Sequence, residues 1–336
     1  GETFAIVGRY EADAVRRSKV YTQVIPYDKS IEPDLMKTWS IVDPGNIAIN
    51  YSLNDVHADG LSHGMYQLLL KHLTGTRFID RLLSAESLIA ALRGRKTSSE
   101  IECIRSAVKT TQLIFEHTYK YMRPGMTEIE VAEFMHSQLA SLGVGPAWNI
   151  DHCPAVNTGP NSPVGHSGPT ELKIEPGHIV HFDFGVRQRD YCSDIQRVVY
   201  YLQPGESQPP ASVQHGFNVI VQAIKQAVSA IKPGVQGKEI DAVARGVVTG
   251  AGYPEYLYAT GHQLGRTAHD GAGLLGPQWE RYGETPNYRI EPGQVYTVEP
   301  GIAIPGYGYI GLEEDILVVD DGAVFLGEPQ TELIIR

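Results

Sequence analysis

The sequence predicts a two-domain α/β (α+β) chain whose larger second domain is a duplicated unit. Residues 174–185 read IEPGHIVHFDFG and residues 290–301 read IEPGQVYTVEPG, so the same Ile-Glu-Pro-Gly turn twice leads into an extended run that ends on a carboxylate. Asp183 and Glu299 hold the matching positions. Upstream of each turn lies a matching helix stop, Arg123-Pro124-Gly125 and Lys232-Pro233-Gly234. Self-similarity of this kind points to two α/β halves folded face to face, and the acids at the matched positions make the seam between them the place to look for chemistry. The third observation is that residues 1–95 follow neither copy and form a smaller α/β pattern of their own.

In that first domain, short apolar runs at 4–7, 20–25 and 47–49 are expected strands, and residues 11–17 and 64–73 expected helices. Residues 3–8 already have the apolar density of an interior strand and no methionine opens the chain, so the domain is expected to be incomplete at its N-terminus. The polar stretch 93–99 is the expected linker, giving domains 1–95 and 98–336. A long amphipathic helix follows from Ser99, with Ile101, Ile104, Val108, Thr111, Phe115 and Met122 near helical spacing, and stops at Arg123-Pro124-Gly125. Thr127 and Glu130 have capping-box spacing and open a helix carrying Val131, Phe134 and Leu139. The second half repeats the plan with residues 213–231, the stop at Lys232-Pro233-Gly234, and a helix through Ile240, Val243 and Val247.

The chain has 336 residues, 42% hydrophobic and 20% charged, which suits a globular protein with a large core. No apolar run approaches the ~18 residues of a bilayer span. The net charge of −11, without a basic tract, argues against nucleic acid as a partner. Cys103, Cys153 and Cys192 show neither disulfide-framework nor thiolate-zinc spacing, so a reducing, cytoplasmic setting is expected.

If Gln188-Arg189 is a two-residue hairpin turn, Asp183 and Asp194 face each other across it, with Cβ atoms about 4.5–5.5 Å apart. Two bare carboxylates so placed repel unless a proton or cation sits between them. Glu299, the mate of Asp183, adds a third acid. A fourth lies in Gly311-Leu-Glu-Glu-Asp-Ile, where strict alternation turns Glu313 and Asp315 one way and Glu314 the other, so pattern alone leaves Glu313 and Asp315 both open. Carboxylate-rich sets completed by an imidazole suit Mn, Co, Fe or Zn. His262 and His269, set among Gly261, Gly265 and Gly271, are the candidate imidazoles, since glycine lets the backbone approach a ligand closely.

The series Asp183, Asp194, His262, Glu299, Glu313, in the contexts DFG, SDIQR, GHQLGRTAHD, TVEPGIAIPG and LEED, resembles the pita-bread metallopeptidases, namely aminopeptidase P, prolidase and methionine aminopeptidase. The resemblance covers about residues 98–336, and the first domain resembles the N-terminal domain of the creatinase and aminopeptidase P branch. It implies that Asp183 and Asp194 bind or bridge two divalent metal ions, manganese foremost, that His262 ligates one, and that Glu299 and Glu313 complete the set. It thereby prefers Glu313 to Asp315. The loop from Asn157 to His166 resembles the family loop whose last histidine lies beside the metals, so His166 and His269 become substrate-side histidines and Glu299 also the proton acceptor. A short peptide substrate and a homodimer are implied as well.

Two positions depart from the proline-specific members. Tyr258 stands where they carry a histidine four residues before the Gly-His ligand, and Gly311 where they often carry an arginine two residues before the last glutamate. Both departures fall on the substrate side. An aminopeptidase with a weakened demand for proline is therefore expected. Alternatives are a prolidase, a metal-dependent amidohydrolase of a small C–N substrate, and a non-catalytic peptide-binding module.

Overall fold

The computed structural model describes every residue of the chain except His166. The described residues form two units, one of residues 1–52 and 59–85, the other of 53–58 and 86–336. The first unit runs β1 (Phe4–Gly8), α1 (Ala12–Ser18), β2 (Gln23–Tyr27), α2 (Glu32–Val42), β3 (Ile47–Ile49), α3 (His63–Leu73) and β4 (Leu82–Ser84). Its strands pair in parallel, β1 with β2 and β3 with β4, which requires crossover connections; α1 supplies the first and α3 the second. Its small core gathers Ile47, Leu73 and Phe78, with Trp39 edge-on to Phe78.

The second unit opens with α4 (Glu86–Gly94), α5 (Ser98–Tyr121) and α6 (Glu128–Leu142). Capping boxes at Thr97/Glu100 and Thr127/Glu130 start α5 and α6, each satisfying two helix-end donors. The strands β5 (Gly145–Pro146), β6 (Ala155–Thr158), β7 (Ile179–Phe184), β8 (Val186–Gln188), β9 (Tyr191–Cys192) and β10 (Ile195–Tyr200) follow. The second helix pair is α7 (Ala211–Ala230) and α8 (Gly237–Gly250). After it come β11 (Gly261–His262), β12 (Leu274–Leu275), β13 (Val295–Val298), β14 (Gly301–Ile304), β15 (Gly308–Gly311), β16 (Glu314–Val319), β17 (Gly322–Phe325) and β18 (Ile334–Ile335).

Four strands form a mixed sheet in the order β18-β10-β7-β6, and β13-β16-β17 form another. Both Ile-Glu-Pro-Gly turns place their glycine at positive φ, Gly177 at 87° and Gly293 at 82°, just ahead of β7 and β13. Two apolar clusters divide the unit. One packs α5 and α6 under β7 and β10, with Phe182 and Phe184 edge-on to Phe115; the other packs α7 and α8 under β13, β14 and β16. Burial of such aromatic and branched side chains, at roughly 1.5–3 kcal/mol each, fixes the strand ends that carry the acids. No helix among the described residues is long and apolar enough to cross a membrane.

Two expectations need revision. The hairpin turn is Arg189-Asp190, both at positive φ (54° and 64°), and not Gln188-Arg189. Asp183 consequently stands opposite Gln196, not Asp194, which lies diagonally across from it. A type I′ turn wants Asn-Gly or Asp-Gly, and Arg-Asp gives no such signal. The stretch 93–99 is also no free linker: Arg95 bridges to Gln294, the Lys96 N–H donates to the Gly293 carbonyl, and the Lys96 side chain is buried.

Candidate metal centre

A cavity of about 600 Å³ opens in the second unit. Asp183 enters it from the end of β7 and Asp194 from the step between β9 and β10. His262 comes from β11, Glu299 from just after β13, and Glu313 from just before β16. The cavity thus draws its ionisable groups from both sequence halves. Ligand atoms of Asp194, His262 and Glu313 lie within 4.8 Å of one another. His262 Nε2 is 3.4 Å from Glu299 Oε1 and 3.8 Å from Asp194 Oδ2. The Asp183 and Asp194 carboxyls are in hydrogen-bonding reach of each other.

These acids are poorly satisfied. Among the described residues, Asp183 Oδ1, Asp194 Oδ1 and Glu313 Oε1 are buried without a hydrogen-bond partner. Burial pushes Asp183 up to about 7, and burial together with the Asp183 charge pushes Glu299 up to about 8. Burial and the neighbouring acids raise Asp194 and Glu313 well above the usual carboxylate range. Orphaned carboxylate oxygens converging with an imidazole are what a divalent cation requires, because the cation turns mutual repulsion into attraction. The residues present fit such a group.

The acidic triplet 313–315 is sorted by its partners. Glu314 faces away from the cavity and accepts two hydrogen bonds from Arg197, at 2.9 and 3.0 Å, and one from the Gln330 N–H. Glu313 lines the cavity. Asp315 lies beneath, its Oδ2 accepting the Asp194 N–H at 3.1 Å, so it holds the backbone from which Asp194 projects.

His269 stacks on His262, ring centroids 3.8 Å apart. Its loop is held by the next residue: Asp270 Oδ1 accepts from Arg93 Nε at 2.6 Å and Oδ2 from the Arg266 N–H at 2.6 Å. Lys96, lowered to about 8 by burial, donates to the Asp270 carbonyl. His166 lies outside the described residues, whereas Asn157, which begins its loop, donates to the Pro163 carbonyl and receives His181 Nδ1 at 3.1 Å.

Several cavity groups escaped the sequence reading. His181 and Gln196 face each other at 2.9 Å, and Gln196 Nε2 lies 3.4 Å from Glu299 Oε2. His181 precedes Asp183 by two residues and Gln196 follows Asp194 by two, so strand alternation puts each on the side of its neighbouring acid. That spacing was the available signal.

Residues 102–320 match metallopeptidase family M24. The uncharacterized peptidase YqhT of Bacillus subtilis is 32% identical over 307 residues, covering 89% of this chain and 82% of that protein. The structure of an Xaa-Pro dipeptidase from Bacillus anthracis superposes with a TM-score of 0.77 at 28% identity, over 98% of this chain and 86% of the other. An X-Pro aminopeptidase from Thermotoga maritima shares the fold, with a TM-score of 0.74 at 24% identity, over 100% and 88% of the two chains. The chain belongs to metallopeptidase family M24, of the pita-bread superfamily, and is a peptidase.

Proposed function

We propose that the chain is a dinuclear-metal aminopeptidase that removes the N-terminal residue of short peptides, of Xaa-Pro type with a relaxed demand for proline. In this reading Asp183, Asp194, His262, Glu299 and Glu313 hold two divalent ions, manganese foremost. The observation that carries it is the set of acids with unpartnered carboxylate oxygens that share one cavity with His262. Two such ions, about 3.5–4 Å apart in dinuclear hydrolases, supply an acidified water and polarise the carbonyl. The chain's own groups do the rest. Glu299, beside His262, takes a proton from the attacking water and passes it to the leaving nitrogen. His269 and His166 donate to the developing oxyanion, a contribution of about 2.7–4 kcal/mol per donor.

The same proposal assigns residues 98–336 to a duplicated catalytic domain and residues 1–95 to a creatinase-like domain. It includes a cytoplasmic homodimer, and the three buried free cysteines suit a reducing compartment.

A second reading, a dipeptidase, is favoured by the name of the 28% identical Bacillus anthracis structure. Manganese-loaded protein given Ala-Pro, Ala-Pro-Ala and a cyclic amide decides between them. Faster turnover of Ala-Pro-Ala is expected; preference for Ala-Pro favours the dipeptidase, and cleavage of the cyclic amide alone favours a small-amide hydrolase.

A further inference from the structure

One wall of the cavity carries no charge. Tyr258, ahead of β11, and Tyr309, on β15, both line it, and their hydroxyls are 2.5 Å apart. Their seat is made by two glycines directly opposite each other in the β14–β15 ladder, Gly301 and Gly311. A Cβ at Gly301 would overlap the Tyr309 hydroxyl and lie 2.8 Å from that of Tyr258. A Cβ at Gly311 would overlap Gln196 Oε1 and lie 2.7 Å from His181 Nε2 and 2.9 Å from Tyr309 Cε1. The tyrosines and the His181–Gln196 pair therefore fill the space that side chains at these positions would need. Tyr309 also meets the His181 ring edge-on, centroids 5.1 Å apart, which braces its ring.

Counting protons shows what this wall offers. Each phenol has one O–H. The contact between them consumes one, and the other is left to donate into the cavity. Both phenols stay protonated: burial and the Tyr309 hydroxyl, with Glu299 adding its charge, raise Tyr258, and burial raises Tyr309. No Lys or Arg stands among the described residues lining the cavity. A single neutral donor satisfies a carbonyl oxygen, whereas a desolvated carboxylate needs a cation or several donors.

The first two residues of a peptide contain two carbonyls. One is attacked, so the acceptor that remains is the one after the scissile bond. In a longer peptide it is an amide oxygen; in a dipeptide it is part of a carboxylate.

Resting on the peptidase reading above, we infer that the Tyr258–Tyr309 hydroxyl pair is a specificity determinant that donates one hydrogen bond to an uncharged carbonyl following the scissile bond. The site thereby selects substrates that continue as an amide over dipeptides that end in a carboxylate. Tyr309 is the new member of this device, and the facing glycines Gly301 and Gly311 are its seat.

Ala-Pro and Ala-Pro amide differ only at the group this pair would read. With manganese-loaded wild type, Tyr258→Phe, Tyr309→Phe and the double variant, kcat and KM are measured on both. Wild type is expected to favour the amide by about tenfold in kcat/KM, the range of one hydrogen bond in a site that must otherwise leave a polar group unpaired. In the Tyr258→Phe/Tyr309→Phe double variant, which holds neither O–H, the preference shrinks to within about threefold, through a higher KM for the amide, with metal content unchanged; each single variant keeps one O–H and shrinks it less. Equal use of the two substrates by wild type, a preference for Ala-Pro, or variants that lose kcat equally on both overturns the inference and leaves the peptidase reading standing. Wild type that cleaves neither overturns both.

Discussion

Glu313 and Glu314 are adjacent, both buried, and opposite in circumstance. Glu314 is bound on both oxygens by Arg197, which also donates to the Glu313 and Glu328 carbonyls. Glu313 points the other way, into the cavity, with one oxygen unpartnered and four further acids close by. A buried carboxylate with its cation beside it is part of the scaffold; one held among other carboxylates is destabilising until a cation arrives. The contrast teaches that burial alone does not distinguish these neighbours: it is the same in both, and hydrogen-bond satisfaction separates the acid that braces the scaffold from the one proposed as a ligand.

Breaking each acid in turn sharpens the contrast. Glu314→Gln leaves Arg197 buried without its counter-charge and is expected to cost about 3–5 kcal/mol in denaturant unfolding. Glu313→Gln, measured on metal-free protein, is expected to be neutral or stabilising, because it removes one of several repelling acids. Equal destabilisation by the two would erase the distinction.

The histidines divide in a smaller but separable way. His262→Ala is expected to lose both metal and activity. His269→Ala and His166→Ala are expected to keep metal and lose about 10²–10³ in turnover, as for removal of one oxyanion donor. Metal analysis beside single-substrate kinetics checks this; equal metal loss in all three would show the division to be wrong.

The smallest effect is on pH dependence. Asp183 and Glu299 have folded-state values of about 7 and about 8, above their ordinary 3.8 and 4.5. A raised acid contributes stability that is complete below its unfolded value and is lost as pH rises through the folded one. His181, lowered to about 4 from 6.5, works the other way, but only below about 6.5. Between pH 6.5 and 8.5 the melting temperature of metal-free protein is therefore expected to fall, and saturating manganese to cancel the fall, since the cation displaces those protons. A flat metal-free profile would contradict the clustering of unpaired acids.

Much of this architecture was legible in the sequence because local chemistry announced it. The helix stop at Arg123-Pro124-Gly125, the Thr127/Glu130 capping box and the apolar spacing of α5 all act within a few residues, and the structure has them there. Helix α2 was not assigned, although Glu32, Pro33 and Asp34 supply an acidic, proline-bearing first turn, because its apolar face is narrow and mostly half-buried. The Asp183–Asp194 register was misread by one residue of turn, since positive φ at Arg189 and Asp190 is set by the ladder on either side and not by those residues. Side-chain partnerships across long separations left no trace in pattern: Asp315 accepts from the Asp194 N–H, 121 residues away, and Asp270 from Arg93, 177 residues away.

The most direct test of the central claim, that the unsatisfied acids form a two-metal hydrolytic centre, is a manganese titration of chelator-stripped protein in which bound metal and Ala-Pro-Ala hydrolysis are followed together. Wild type is predicted to be inactive when stripped and to regain activity as binding saturates at two ions per chain, while Asp194→Asn, still folding cooperatively, binds less metal and stays inactive. Full activity in stripped wild type or in stripped Asp194→Asn would contradict the account.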